Sequence, residues 1–152
     1  MRGRPILTLA LCGAIAGCGD SNLNPFNWFG GEEAPVVVAP DGEVVDPRPL
    51  VDQVTSVTVE RAPGGAIVRA TGLPPMQGYW SAALVPADRD VLPDENGVLT
   101  LDFRALPPAS PQPAGTPQSR EIVTGFFLSE QDLRPVRSIL VRAERNSRSV
   151  RR

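Results

Sequence analysis

From residue 54 onward, short runs of alternating apolar and polar side chains are separated by turn residues. In the clearest run, 98–105, Leu99, Leu101 and Phe103 alternate with polar residues. Because successive side chains of a β-strand point to opposite faces, this period of two predicts a strand with one face in a core and the other in water. The pattern recurs along the chain and favours antiparallel sheet over helix.

We predict six strands in this region, joined by turns and loops. The strands are 54–60, 66–71, 78–85, 98–105, 120–128 and 136–144. Pro63-Gly64-Gly65 predicts a tight hairpin between the first two strands, and Asn96-Gly97 tolerates the positive φ of a turn before the fourth.

A domain of about ninety residues with six or seven short antiparallel strands is typical of an all-β fold, a small immunoglobulin-like β-sandwich. Trp80, in the third strand, would take the place of the core tryptophan that such sandwiches often contain, and we expect Trp80 and Phe103 to be buried. The similarity is one of architecture alone, because no cysteine pair or family motif accompanies it. A fold of this kind does not specify a function.

The segments that flank this domain differ from it in composition. Residues 18–53 are rich in proline and acidic side chains, which cannot build a packed core, so we expect a disordered tether. The valine run at 36–38 is a candidate short edge strand within it. We place the β-sandwich at 54–145, and we expect the arginine-rich residues 146–152 to form a basic disordered tail.

Residues 1–17 have the order of features found in a secretory signal peptide. Arg2 and Arg4 are followed by an apolar run, 6–15, and then by two small residues directly before Cys18. An apolar run of this length is too short to cross a bilayer, which takes about twenty residues. We therefore expect the signal to be removed.

The four residues Ile15-Ala16-Gly17-Cys18 resemble the lipobox of bacterial lipoproteins. The resemblance implies that Cys18 receives a diacylglycerol on its sulfur and becomes an acylated, palmitate-bearing N-terminus after cleavage. It also implies a lipid-anchored protein of the cell envelope. In that family an aspartate directly after the cysteine favours the inner membrane; here the position holds Gly19, which favours the periplasmic face of the outer membrane.

Three other interpretations of the N-terminal segment are open. The segment could stay in the membrane, it could be cleaved after Ala16 without lipidation, or Cys12 could be the modified residue. The bulky Leu11 before Cys12 argues against the last of these. With two or three acyl chains on Cys18, attachment would be essentially permanent.

Composition excludes several classes of chemistry. The chain contains no histidine, and of its two cysteines Cys12 lies within the signal. The mature chain therefore lacks the residues for a disulfide, a His/Cys zinc site, Ser-His-Asp or Cys-His catalysis, and c-type haem attachment. A mechanism that needs only two carboxylates, as in glycoside hydrolysis, is left open. We expect a protein that is not an enzyme and that uses no cofactor or metal.

Three large aromatic residues, Phe26, Trp28 and Phe29, lie close together in the tether. They follow Cys18 so closely that insertion into the bilayer interface is the simplest interpretation. Two alternatives are a peptide that docks onto a partner protein and packing against the chain's own domain.

Two charged regions are further candidate sites. A loop with acidic side chains offers oxygen ligands of the kind that bind calcium, but Leu92 and Pro93 break the EF-hand pattern, so a solvated turn is the competing interpretation. The residues of this loop are Asp88, Asp90, Asp94, Glu95 and Asn96. The arginine-rich stretch from Arg134 onward is either a solvated terminus or a site for a phosphate-bearing glycolipid or an acidic partner surface.

Together these features predict an envelope lipoprotein whose domain is a non-catalytic structural or protein-interaction module with an envelope protein as its partner. A module that binds a glycan or a lipid is the alternative, and nucleic-acid binding is not expected. An exposed apolar patch or an open sheet edge would favour a protein partner. A concave pocket with convergent polar groups would favour a small ligand.

Overall fold

The computed structural model describes residues 46–88 and 91–152, together with the backbone of residues 37–38 and 44–45. In chain order its elements are β1 (Val37–Val38), β2 (Val44–Val45), β3 (Gln53–Ala62), β4 (Gly65–Leu73), β5 (Trp80–Pro86), β6 (Val98–Leu106), β7 (Ile122–Ser129), α1 (Glu130–Leu133), β8 (Ser138–Arg142) and β9 (Ser147–Arg151). Ser129 caps α1, which is a single turn. Within the described residues, no helix is long and apolar enough to cross a membrane.

The strands of the domain form two sheets. Three strands make one sheet in the order β3-β4-β7, and four make the other in the order β5-β6-β8-β9. β1 and β2 form a separate two-stranded hairpin. The predicted small all-β sandwich is confirmed, and each of the six predicted strands begins and ends within two residues of an observed one.

One strand pair differs from the antiparallel arrangement that the sequence predicts. β6 and β8 are parallel, with Leu99 beside Ile139 and Leu101 beside Val141. After β6 the chain crosses to the other sheet as β7, turns through α1 and returns as β8 next to β6. Because this return is a crossover and not a hairpin, the two strands run in the same direction.

The core is built from the inward faces of both sheets. Phe103 is fully buried, as predicted, and its ring occupies the space beside Gly72. A Cβ atom at Gly72 would lie 2.8 Å from Cε1 of Phe103, so this close approach requires a glycine. Further fully buried side chains are Val51, Val54, Val68, Leu99, Leu101, Leu128, Ile139 and Val141.

The prediction that Trp80 belongs to the core is wrong, because this residue is 43% exposed. The register of β5 against β6 shifts between Trp80 and Ala83, and Ser81 in this bulge has a φ of 50°. A bulge adds one residue to a strand, so side chains on its two sides no longer alternate regularly. Counting by twos from the buried Leu84 therefore assigns Trp80 to the wrong face.

The domain begins before residue 54, where the sequence predicts its start. Val51 is fully buried, and its N–H donates to the carbonyl of Phe103 at 2.8 Å. The N–H of Ala105 donates to the carbonyl of Pro49 at 3.1 Å. The segment around Val51 therefore pairs with the end of β6 and belongs to the domain. The expectation that the tether extends to residue 53 is wrong.

The expected disordered tail is also corrected, since Ser147–Arg151 forms β9 and pairs with β8. Before β9, Asn146 bridges to β3: its side-chain oxygen accepts from the N–H of Val54 at 2.8 Å, and its side-chain nitrogen donates to the Val54 carbonyl at 3.0 Å. Val150 packs against the core. The strand is hard to recognise in the sequence because Val150 is its one apolar residue.

Replacing Phe103 with alanine is expected to destabilise the domain by about 3–5 kcal/mol, because the change removes a buried aromatic side chain and leaves a cavity. Trp80→Ala should cost about 1 kcal/mol or less, since much of that side chain already lies in water. Urea unfolding followed by circular dichroism measures both free energies. Equal losses for the two variants would contradict the difference in burial.

Candidate functional site

The site residues predicted from the N-terminal signals lie outside the described part of the chain. They are the lipidation site Cys18 and the aromatic cluster of Phe26, Trp28 and Phe29. Both remain predictions.

The acidic loop before β6 is organised as a turn by Asp94. Its Oδ1 accepts hydrogen bonds from the N–H groups of Asn96 at 2.9 Å and Val98 at 2.8 Å. These bonds, with that from Val98 the largest cause, hold the pKa of Asp94 below its usual value. Asp90 lies outside the described residues, and among those described no three Asp, Glu or Cys side chains come close enough to hold a metal ion. Asp94 therefore shapes the chain that enters β6.

Asp102 is the one charged residue that is buried in the described part of the chain. Because it alternates with core residues of β6, the sequence predicts that it faces water, but two arginines cover it instead. Arg142 Nε donates to Oδ1 and Arg104 Nη2 donates to Oδ2, both at 2.8 Å. The Arg142 side chain is half exposed, so the cluster reaches water through its guanidinium groups.

The environment of Asp102 keeps its carboxylate ionised. Burial by itself raises the pKa of Asp102, but the hydrogen bonds and charges of Arg142 and Arg104 outweigh burial, so the pKa lies below its usual value. A general acid or base needs a pKa near the working pH and a position within reach of substrate. Both Asp102 oxygens are instead occupied by arginines, which gives this residue a structural role.

The polar contacts continue from Asp102 to the beginning of the domain. Arg104 Nη1 donates to the carbonyl of Arg48 at 2.9 Å. Arg48 binds both carboxylate oxygens of Asp46, with distances of 2.8 Å from Nε to Oδ1 and 2.6 Å from Nη2 to Oδ2. Its Nη1 also donates to the carbonyl of Ser81 at 3.1 Å. These bonds hold the entering chain against β5 and β6.

The outer face of the three-stranded sheet carries a row of exposed apolar side chains. β7 places Val123 and Phe127 on this face, where they are 54% and 52% exposed. Strand pairing sets Ile67 of β4 beside Phe127, and Thr71 beside Val123. We define Ile67, Val123 and Phe127, with Gly125 between the last two, as the apolar strip.

Gly125 keeps the apolar strip continuous. A Cβ atom at this position would lie 3.3 Å from Cγ2 of Ile67, so the isoleucine side chain covers the glycine. Arg69 lies beside Gly125 on β4, and its Nε contacts Oε1 of Glu60 at 3.0 Å. An apolar centre with a charged rim is the usual anatomy of a protein–protein interface.

The apolar strip was not predicted, although the sequence of β7 contains a signal for it. In this strand Ile122, Phe126 and Leu128 pack toward the core, while Val123 and Phe127 lie on the opposite face. A strand of an antiparallel sheet usually has one apolar face and one solvated face. Apolar residues on both faces of β7 indicate that its outer face also forms a contact surface.

Comparisons of the chain with protein-family models, with curated proteins and with solved structures found no match.

Asp102→Asn is expected to lower the free energy of unfolding by about 1–3 kcal/mol near neutral pH, because Arg104 and Arg142 lose a charged acceptor. Water can still reach both guanidinium groups, which limits the loss. Folding lowers the pKa of Asp102, so its contribution is present above the unfolded-state pKa and is lost as the pH falls through the folded-state pKa. The variant should therefore lose less stability than the wild type as the pH falls below about 4, the pKa of an aspartate in the unfolded chain.

Urea unfolding at a series of pH values measures this difference. The pKa values of Asp46, Asp52 and Asp94 are also lowered, by Arg48, by Arg145 and by backbone N–H groups respectively. Their contributions have the same sign in both proteins and largely cancel in the comparison. Parallel pH profiles for the variant and the wild type would contradict the role assigned to Asp102.

Proposed function

We propose that this chain is a lipid-anchored lipoprotein of the bacterial cell envelope, and that its β-sandwich is a non-catalytic module that binds another envelope protein. The apolar strip is the observation that carries the second part. Single exposed apolar residues are common on protein surfaces and need no explanation. Ile67 and Phe127 instead lie side by side on neighbouring strands, and Val123 lies on the same face four residues along β7. Exposed apolar residues grouped on one face of a sheet mark contact surfaces.

The chemistry of the apolar strip defines the partner's surface. Complete burial of a large apolar side chain is worth about 1.5–3 kcal/mol, and Val123 and Phe127 still have about half of their surface to bury. Arg69 and Glu60 border the strip with one charge of each sign. We therefore propose a partner with an apolar patch and a rim that pairs with both charges. Phe127 would supply the aromatic anchor that often dominates such interfaces.

The membrane part of the proposal rests on the lipobox. Cys18 would carry the lipid, and Phe26, Trp28 and Phe29 would lie in the bilayer interface close to it. By this proposal the anchor holds the domain at the periplasmic face of the outer membrane. Attachment to a membrane that also holds the partner raises the effective concentration of both proteins, so a modest strip suffices for association.

Cys18→Ser is expected to abolish the incorporation of labelled palmitate, because the variant lacks the sulfur that accepts the lipid. Metabolic labelling followed by immunoprecipitation measures the incorporation. Cys12→Ser is the matched control and should still take up label, since Cys12 is expected to leave with the signal. Label on the Cys18→Ser variant, or none on the wild type, would overturn the lipoprotein assignment.

The double variant Val123→Ser/Phe127→Ser is expected to weaken partner binding about tenfold or more, because it removes the two most exposed apolar groups of the strip. A photo-crosslinking residue at position 67 first identifies the protein that touches the strip in intact cells. The affinity of the purified pair is then measured for each variant. Leu92→Ser, at a residue that is 63% exposed outside the strip, should leave the affinity unchanged.

Thermal melts accompany these measurements, and the exposed positions of Val123 and Phe127 should leave the fold intact. Equal affinities for the double variant and Leu92→Ser would refute the proposed role of the strip. A crosslink to a second copy of this chain would also refute it, because the strip would then serve self-association.

A further inference from the structure

A cleft of about 540 Å³ lies at the end of the sandwich where β3, β4, β9 and α1 meet. Its lining includes Arg61, Arg134, Arg151 and Arg152, and among the described lining residues Glu130 has the one acidic side chain. The volume falls within the range of about 300–1,000 Å³ that is usual for small-molecule sites. We refer to it as the arginine cleft.

The alternation of β3 and β9 places arginines at the mouth of the cleft. Along β3, Val57, Val59 and Arg61 lie on the same face. Arg152 directly follows the end of β9 and lies two residues after Val150. Val59 and Val150 pack against the core, whereas both arginines are exposed beyond it. The strands therefore carry apolar groups deep in the cleft and guanidinium groups at its opening.

α1 completes the floor and holds one arginine in place. Leu133 of α1 and Ala66 of β4 are buried below the opening. Arg152 Nη1 donates to the Leu133 carbonyl at 2.6 Å, which fixes this guanidinium against α1. A guanidinium has five N–H donors, so the others remain for a ligand.

The cleft arginines have no ion-pair partner among the described residues, as is also true of Arg120, Arg137 and Arg148 outside the cleft. Several arginines outside the cleft form an ion pair with a carboxylate, and these are Arg48, Arg69, Arg104, Arg142 and Arg145. Within the described part of the chain, no carboxylate forms an ion pair with any of the four cleft arginines. Like charges gathered at one opening repel each other, and a bound anion would relieve this repulsion.

We infer that the arginine cleft binds a phosphorylated amphiphile, whose phosphate contacts the guanidinium groups and whose hydrocarbon covers the apolar floor. Paired N–H donors of arginine match the oxygens of phosphate. A phosphate monoester carries a charge of about −1.5 to −2, which balances the excess of arginine over glutamate better than one carboxylate does. A membrane phospholipid and a soluble phosphate ester share this chemistry.

The test uses the full chain in nanodiscs of phosphatidylcholine and titrates it with n-hexyl phosphate in a calorimeter. Inorganic phosphate and n-hexanol are the reference ligands, and both should bind more weakly because each offers half of the required chemistry. Arg61→Gln/Arg134→Gln should weaken the binding of hexyl phosphate about tenfold or more. Arg120→Gln/Arg145→Gln makes the same change in net charge outside the cleft and should leave the affinity unchanged.

Adding phosphatidic acid to the nanodiscs separates the two sources of phosphate. If a lipid head group reaches the cleft, it competes and the apparent affinity for hexyl phosphate falls; an unchanged affinity assigns the cleft to soluble phosphate esters. Both results support the inference when the cleft variant binds weakly. Equal affinities for the two double variants would overturn it. Hexanol or inorganic phosphate binding as tightly as hexyl phosphate would overturn it as well.

Discussion

The buried carboxylate of Asp102 constrains the four-stranded sheet more than any other single group. Asp102 lies directly beside Arg142 in the parallel pairing of β6 and β8, and Arg104 reaches its other oxygen from two residues along β6. A slip of one residue between the strands would turn Arg142 to the opposite face and leave the carboxylate with one partner. Removing one partner of a buried ion pair destabilises a protein by more than the intact pair stabilises it. Asp102 therefore favours this register over others that apolar packing alone would allow.

Polar side chains also close the gaps between the two sheets, where no continuous backbone ladder runs. Near the start of β3, Asn146 binds both backbone groups of Val54, and Arg148 Nε donates to the Val54 carbonyl at 3.1 Å. At the opposite gap, Thr124 Oγ1 donates to the carbonyl of Ala82 at 3.1 Å. Strand edges that are covered in this way offer fewer free N–H and C=O groups to other chains. The outer faces and the end of the sandwich that holds the arginine cleft therefore remain available for specific contacts.

A period of two in apolar residues carries information about some features of this fold and not about others. It predicts strands with one apolar face, which is why six strands and the burial of Phe103 are confirmed. It does not report which strands pair, so the parallel neighbours β6 and β8 were missed. The bulge at Ser81 has no glycine to mark it and reverses the face of Trp80. β9 is held by its pairing with β8 and by the hydrogen bonds of Asn146 to β3 more than by apolar side chains. β7 has apolar residues on both faces, so alternation alone does not show which of them form the apolar strip.

The apolar strip and the arginine cleft meet at Gly65. This residue lines the cleft, and a Cβ atom on it would lie 3.0 Å from Cζ of Phe127. A hydrocarbon chain that leaves the cleft past Gly65 would therefore run beside the Phe127 ring and enlarge the apolar surface of the strip. A partner that buries this enlarged surface would bind more tightly, and by linkage it would raise the affinity for the amphiphile by the same factor.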